Sequence, residues 1–375
     1  MATPTFALTD EQRLLRDTVR KLAETRSKGE QIRRVMSTDE AVDTDAWTEL
    51  ADMGLVGLLV PEEHGGAGST LVEACIVVEE LGRTLLPVPY LSSAILATTA
   101  ILAAGSAAQQ TALLPALASG QRRATLVHLD ERGRIDADPG VQARPDGDGL
   151  LLDGAGGYVV DGLSADLLVV AVVAPGGIEL VTVPADADGV GRERVEVLDL
   201  TRPMATVRFD GVRVDADARL SERDGIAALH RALAAGIVAL ANEQVGGARA
   251  VLESALDYAR TRKQFGRAIG SFQAIKHRLA DLTVEVEAAT SAAYHAARVT
   301  AAGEADEAAI AAPLAKSYAS EVYEHVAGES IQIHGGIGFT WEHDAHLFFK
   351  RAKASKLLLG SPRQHRRVLG DVLGL

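Results

Sequence analysis

A change of texture in mid-chain constrains this sequence most. From about residue 120 to Leu220 it breaks into short valine-rich runs: "RATLVHL", "GLLLDG", "YVVDG", "DLLVVAVV", "IELVTV" and "MATVRFDGVRV". Turns rich in Gly and Asp separate them, among them "RPDGDG", "APGG" and "ADADG". Short β-branched runs punctuated in this way predict six or more strands, in an antiparallel barrel or sandwich. The flanking sequence has helical spacing instead. "LTDEQRLLRDTVRKLAET" opens on a Thr9-Asp10 cap signal and sets Leu15, Val19 and Leu22 at helical intervals. Four long segments of this kind follow Asp224 and predict an antiparallel four-helix bundle. The expected architecture is α+β and multidomain: an N-terminal helical domain over 1–118, a β-domain over 119–222 and a C-terminal four-helix bundle over 223–375.

With 375 residues the chain is long enough to bury a large core. Its net charge of −13 argues against non-specific binding to nucleic acid or anionic membranes. The single cysteine, Cys75, lies in the apolar pattern "LVEACIVVEELGR" and reads as a small core residue. No signal pattern precedes "FALTDEQRLL", and the apolar runs are shorter than the roughly 20 residues of a membrane helix. The expectation is a soluble, cytoplasmic protein.

Three stretches could carry chemistry. In "YARTRKQFGRAIGSFQAIKHRLADL" a helix ends near Arg262-Lys263, a turn holds Gly266 and Gly270, and a new helix begins near Ser271, which is placed to cap it. Arg260, Arg262, Lys263 and Arg267 gather there beside Phe265. The cluster reads as an anion and ring site, or as a basic helix end that complements its own dipole. "QIHGGIGFT" places Gly335, Gly336 and Gly338 within four positions, which suits either a plain turn or a phosphate cradle. "WEHDAH" has a metal-like composition, yet no third ligand group accompanies His343 and His346, so a solvated helix start is expected and no metal. No nucleophile elbow and no phosphate-binding G-x-x-x-x-G-K-[ST] loop occurs.

Together these residues resemble the acyl-CoA dehydrogenase family along nearly the whole chain. "LADMGLVGLLVPEEHGGAG" with "VVEELGR" is similar to its N-terminal helical domain. "MATVRFDGVRVDADARL" resembles the strand leaving its β-domain, and "RTRKQFGRAIGSFQAIKHRLADL" and "QIHGGIGFT" resemble its two best-known C-terminal stretches. The resemblance implies a flavoprotein oxidoreductase of lipid metabolism that takes an acyl-CoA thioester. A glutamate removes the α-proton and FAD accepts the β-hydrogen as hydride. It also implies that one subunit's β-domain holds the flavin ring while a neighbour's bundle reaches the dinucleotide end.

Carried over by position, the neighbour-facing half is present. The resemblance makes Arg262 the pyrophosphate arginine, sets Gln264, Phe265 and Gly266 beside it, and adds Gln273, Gln332, Gly335 and Gly336 to the cofactor set. The half that would hold the chain's own ring is poor: "ATLVHLDERGRID" (124–136) lacks the family's polar groups. Tyr158 stands for the family's Trp, and Val160 for its Thr. Leu359 occupies the usual position of the catalytic glutamate. The alternative position falls at or near Gly236, and Glu243, the nearest carboxylate on that helix, lies about 10 Å further along it.

The leading expectation is therefore a non-catalytic subunit that completes the FAD site of a paralogous partner, in a hetero-oligomer such as a heterotetramer. An active homo-oligomer using Glu243 is one alternative, and a catalytically silent structural or binding protein is another. The acyl group, the partner and the electron acceptor are left open.

Overall fold

A computed structural model describes residues 7–136, 138–220 and 224–375. The chain divides into two compact units, which interleave along the sequence.

The first unit comprises Met1–Ile32, Leu71–Leu86 and Ile237–Leu375. Its helices are α1 (Asp10–Arg26), α4 (Leu71–Thr84), most of α7 (Gly225–Thr261), α8 (Gln273–Ala301), α9 (Ala305–His334), α10 (Ala345–Leu357) and α11 (Pro362–Leu373). The Thr9 signal is realised: its hydroxyl accepts from the Gln12 amide while the Gln12 side chain accepts from the Thr9 amide. A bidentate ion pair, Arg20 to Glu80 at 2.7 and 2.8 Å, ties α1 to α4. Its neighbour Glu79 is buried, and burial pushes its carboxyl above the ordinary range, although the Tyr294 hydroxyl donates to it at 2.6 Å.

Two glycines let α4 and α7 approach closely. A methyl on Gly246 would lie 2.1 Å from the Glu79 carbonyl oxygen, and one on Gly82 would lie 2.4 Å from that of Glu243. Among the described residues α7 is long and apolar enough to span a bilayer, which the run-length reading did not anticipate. However, 56% of the qualifying window is buried within the fold, as in a core helix.

The second unit comprises Arg33–Thr70 and Pro87–Gly236. It contains α3 (Thr44–Asp52), a π-helical stretch at Tyr90–Ala97 running into α5 (Thr98–Ala104), α6 (Ala107–Ala118) and a seven-stranded sheet. Helix α2 (Gly29–Met36) spans the boundary between the units. The strands are β1 (Ala124–Val127), β2 (Val141–Asp146), β3 (Gly149–Val160), β4 (Leu167–Ala174), β5 (Gly177–Pro184), β6 (Val190–Arg194) and β7 (Met204–Val214).

The sheet is mixed rather than purely antiparallel, because β4 pairs in parallel with both β1 and β2. The unbroken apolar run of β4, "LLVVAVVA", is the composition of a central strand covered on both faces, as parallel pairing demands. The separate runs "GLLLDG" and "YVVDG" prove to be one strand, β3, bent by irregularities at Leu152/Gly154 and Gly156/Val159. The polar strands β2 and β6 carry too little periodic signal to be seen in the sequence. The core of the sheet gathers Leu152, Val159, Leu168, Val170, Val207 and Phe209.

Candidate functional site

The C-terminal end of α7 turns into a two-residue hairpin. Strand β8 (Lys263–Gln264) pairs antiparallel with β9 (Arg267–Ala268), and the Ile269 amide donates to the Arg262 carbonyl at 2.8 Å. The turn residues Phe265 and Gly266 both have positive φ, 52° and 78°. This backbone suits Gly266. For Phe265 it is a strained conformation that costs about 1–3 kcal/mol. The strain displays the ring: Phe265 is 91% exposed, and its ring meets that of Phe272 edge-on at 6.2 Å.

The four cations differ in their contacts. Arg260 pairs with Asp257 at 3.1 Å, and the Arg267 guanidinium lies 4.0 Å over the Phe272 ring. The exposed side chains of Arg262 and Lys263 have no partner among the described residues. A helix end that merely complemented its own dipole would not need these two free donors beside a strained, exposed aromatic ring. Ser271 does not cap α8: its hydroxyl donates to the Ala268 carbonyl at 2.7 Å, and Phe272 is the cap residue. Gln273, the first residue of α8, is exposed.

Helix α9 ends at His334, and the glycines then do different work. Gly335 has φ 65° and ψ −141°, which only glycine adopts freely. Gly338 packs inward, where a methyl would lie 3.1 Å from the Ile331 carbonyl oxygen. Gly336 has neither reason: its φ is not positive, and a methyl there would meet nothing within 4 Å. The protein's own fold does not require that glycine, whereas close approach of another molecule to the backbone would. Gln332 is exposed one turn before.

His334 joins the two stretches. Its Nδ1 donates to the Ser330 carbonyl at 2.7 Å, which leaves Nε2 to accept from the Ser254 hydroxyl at 3.4 Å. Its ring lies 4.6 Å from that of Tyr258, one turn before Arg262. The ends of α7 and α9 therefore meet, and the hairpin and the glycine turn share one end of the helical unit. Free guanidinium, exposed aromatic ring, amides and open glycine backbone together suit a phosphate-bearing, ring-containing molecule.

A base is harder to find. Leu359 is buried in the turn between α10 and α11, with φ 55°. Glu243 is also buried, and its Oε1 accepts from the Arg351 guanidinium at 3.1 Å. Arg351 is buried as well, so this carboxylate balances an interior charge. In the second unit Val160 is buried and offers only its backbone carbonyl, which accepts from the Thr125 hydroxyl at 2.6 Å. Tyr158 is half-exposed with φ 52°. Asp130 is engaged by the Arg132 and Arg134 amides and by the Arg134 side chain. The C-terminal turns thus offer cations unpaired among the described residues, an exposed ring and open backbone, whereas Val160 in the β-domain offers no side-chain donor.

Neither His334, the link between the two stretches, nor Lys316, a buried charge, stands out in the local sequence pattern. A lysine set among Ala312, Ala315 and Ala319 on one helix face was the available signal for the second.

Residues 9–121 match the family description "Acyl-CoA dehydrogenase, N-terminal domain", and residues 223–374 match "Acyl-CoA dehydrogenase, C-terminal domain". The chain is 35% identical to Acyl-CoA dehydrogenase IpdE2 of Mycolicibacterium smegmatis over 96% of its own length and 98% of that protein. Among solved structures it is similar to the ChsE4-ChsE5 complex from Mycobacterium tuberculosis, with TM-score 0.91, 30% identity and 98% of each chain covered. It is also similar to a variant of the Tcur3481-Tcur3483 steroid ACAD, with TM-score 0.88, 33% identity, and 97% and 98% covered.

Proposed function

The chain belongs to the acyl-CoA dehydrogenase family of flavoprotein oxidoreductases, and from that premise we propose that it is the non-catalytic subunit of a heteromeric, FAD-dependent acyl-CoA dehydrogenase in the cytoplasm. One contrast carries the reading. The groups that would serve a neighbour's dinucleotide are free, exposed or strained outward, while the positions that would supply a base hold Leu359 and Gly236. Arg262 would bind the pyrophosphate, Phe265 and Gln264 would flank it, and Gln273, Gln332, Gly335 and Gly336 would line its path. When bound, FAD supplies the hydride acceptor for α,β-dehydrogenation. This chain contributes binding and orientation to that reaction; the proton-abstracting carboxylate belongs to the partner. Two similar structures, the ChsE4-ChsE5 complex and the Tcur3481-Tcur3483 steroid ACAD, each carry two protein names, which supports a paired assembly here. The steroid designation of one suggests an acyl group carried on a steroid-derived skeleton as the substrate class.

The alternative, an active homo-oligomer using Glu243, requires the buried Glu243–Arg351 pair to open before the carboxylate can take a proton. The deciding experiment compares the chain alone with the chain co-expressed with a paralogue that carries the glutamate. Flavin and turnover are expected only in the pair.

A further inference from the structure

Helix α9 carries a lysine in the protein interior. Lys316 is 0% exposed, and its Nζ lies 3.0 Å from the Ser320 hydroxyl oxygen, 3.1 Å from the Ser355 carbonyl, 3.4 Å from the Lys356 carbonyl and 3.1 Å from the Gly360 carbonyl. Among the described residues no carboxylate touches it. The Ser320 hydroxyl in turn donates to Gln244 Oε1 on α7 at 3.1 Å.

The two carbonyls of Ser355 and Lys356 belong to the last turn of α10, where backbone acceptors run out of intrahelical donors. A cation at that point also meets the negative end of the helix dipole. Beyond the helix, Leu359 and Gly360 both have positive φ, 55° and 104°. The Leu359 carbonyl accepts from His365 Nε2 at 2.9 Å, and a methyl on Gly360 would lie 2.7 Å from that same nitrogen. Lys316 thus reaches both sides of the turn, with His365 behind it.

We propose that Lys316 is a positioning residue that fixes the α10–α11 turn, and with it the backbone conformation of position 359, by gathering the carbonyls of Ser355, Lys356 and Gly360 around one interior amine. This inference does not depend on the proposed subunit role. It concerns the shape of the turn, whatever side chain position 359 carries.

Titration provides a readout specific to this residue. Burial pushes the Lys316 ammonium down to about 7, so the closed turn binds that proton less tightly than exposed lysine does. Closed-turn stability is therefore level below about 7 and rises with pH toward the ordinary lysine value of 10.5. Two neighbouring groups, His365 and Glu324, do not titrate across that range. Burial and the Lys316 charge hold the His365 imidazole down at about 4, so it stays neutral. Burial pushes the Glu324 carboxyl up, but Lys353 and Lys356 outweigh it and hold it below its ordinary value. Glu243 and Arg351 form their own ion pair.

The test is amide hydrogen exchange at Leu358–Ser361 in the full-length chain between pH 6 and 9, corrected for intrinsic exchange. Wild-type protection is expected to rise with pH above about 7. In K316M, protection of these amides is expected to fall by about tenfold or more, as for the loss of buried hydrogen bonds to the turn carbonyls, and the pH dependence to vanish. The wild-type arm needs no variant, so it decides the matter even where K316M fails to fold. Protection that stays level with pH in the wild type, or that is unchanged in K316M, overturns the assignment.

Discussion

Arg262 and Glu243 are charged residues on or just beyond one helix, and their surroundings assign them opposite work. Arg262 is exposed and unpaired among the described residues, ready for an anion at the helix end. In a complex with a partner, R262A is expected to weaken FAD binding by about 10- to 100-fold, the worth of a charge-assisted contact. R262K recovers only part of this, because an ammonium lacks the planar fork; flavin titration of the co-purified complex measures both. Glu243 faces inward to Arg351. E243Q removes the carboxylate that the buried Arg351 guanidinium meets at 3.1 Å and is expected to destabilise the fold by about 1–3 kcal/mol in denaturant titration. Under the proposed subunit role, turnover per folded complex should stay unchanged.

The turns after α7 and α9 were legible in the sequence because glycine clusters and basic helix ends leave local marks. Ser271 was misread as a cap because spacing does not reveal that its hydroxyl turns back to Ala268. Lys316 escaped notice because a lysine in "LAKSYAS" looks solvated until the packing of the helices encloses it.

At the scale of elements, a close helix approach shows what local pattern hides. Gly82 and Gly246 look like helix-weakening residues in sequence, yet each sits where α4 and α7 leave no room for a methyl group. G246A forces the Glu79 backbone away and is expected to cost about 3 kcal/mol, read as a lower denaturation midpoint at constant slope. The hairpin after α7 is the reverse case, in which Phe265 spends stability on display rather than packing. Strand identity was legible where valine dominates. The parallel pairing of β4 was not, because register and direction depend on which strands meet, and no local signal encodes that.

At the scale of the whole molecule, the order helix, sheet, helix was legible from texture alone. The grouping of α1 and α4 with the C-terminal helices was not. That grouping rests on interior contacts such as Arg20–Glu80 and Tyr294–Glu79, made between segments far apart in sequence. Function at this scale is a question of ownership. The proposed dinucleotide cradle lies at the ends of α7 and α9, while the positions expected to supply a base and a polar seat for a flavin ring hold other residues. The ratio of FAD to protein, measured on the chain alone and on the chain purified with its glutamate-bearing paralogue, tests this most directly. The chain alone is expected to hold no stoichiometric flavin, and the complex one FAD per pair of unlike chains with acyl-CoA oxidation. One FAD per subunit in the chain alone, with turnover, would contradict it.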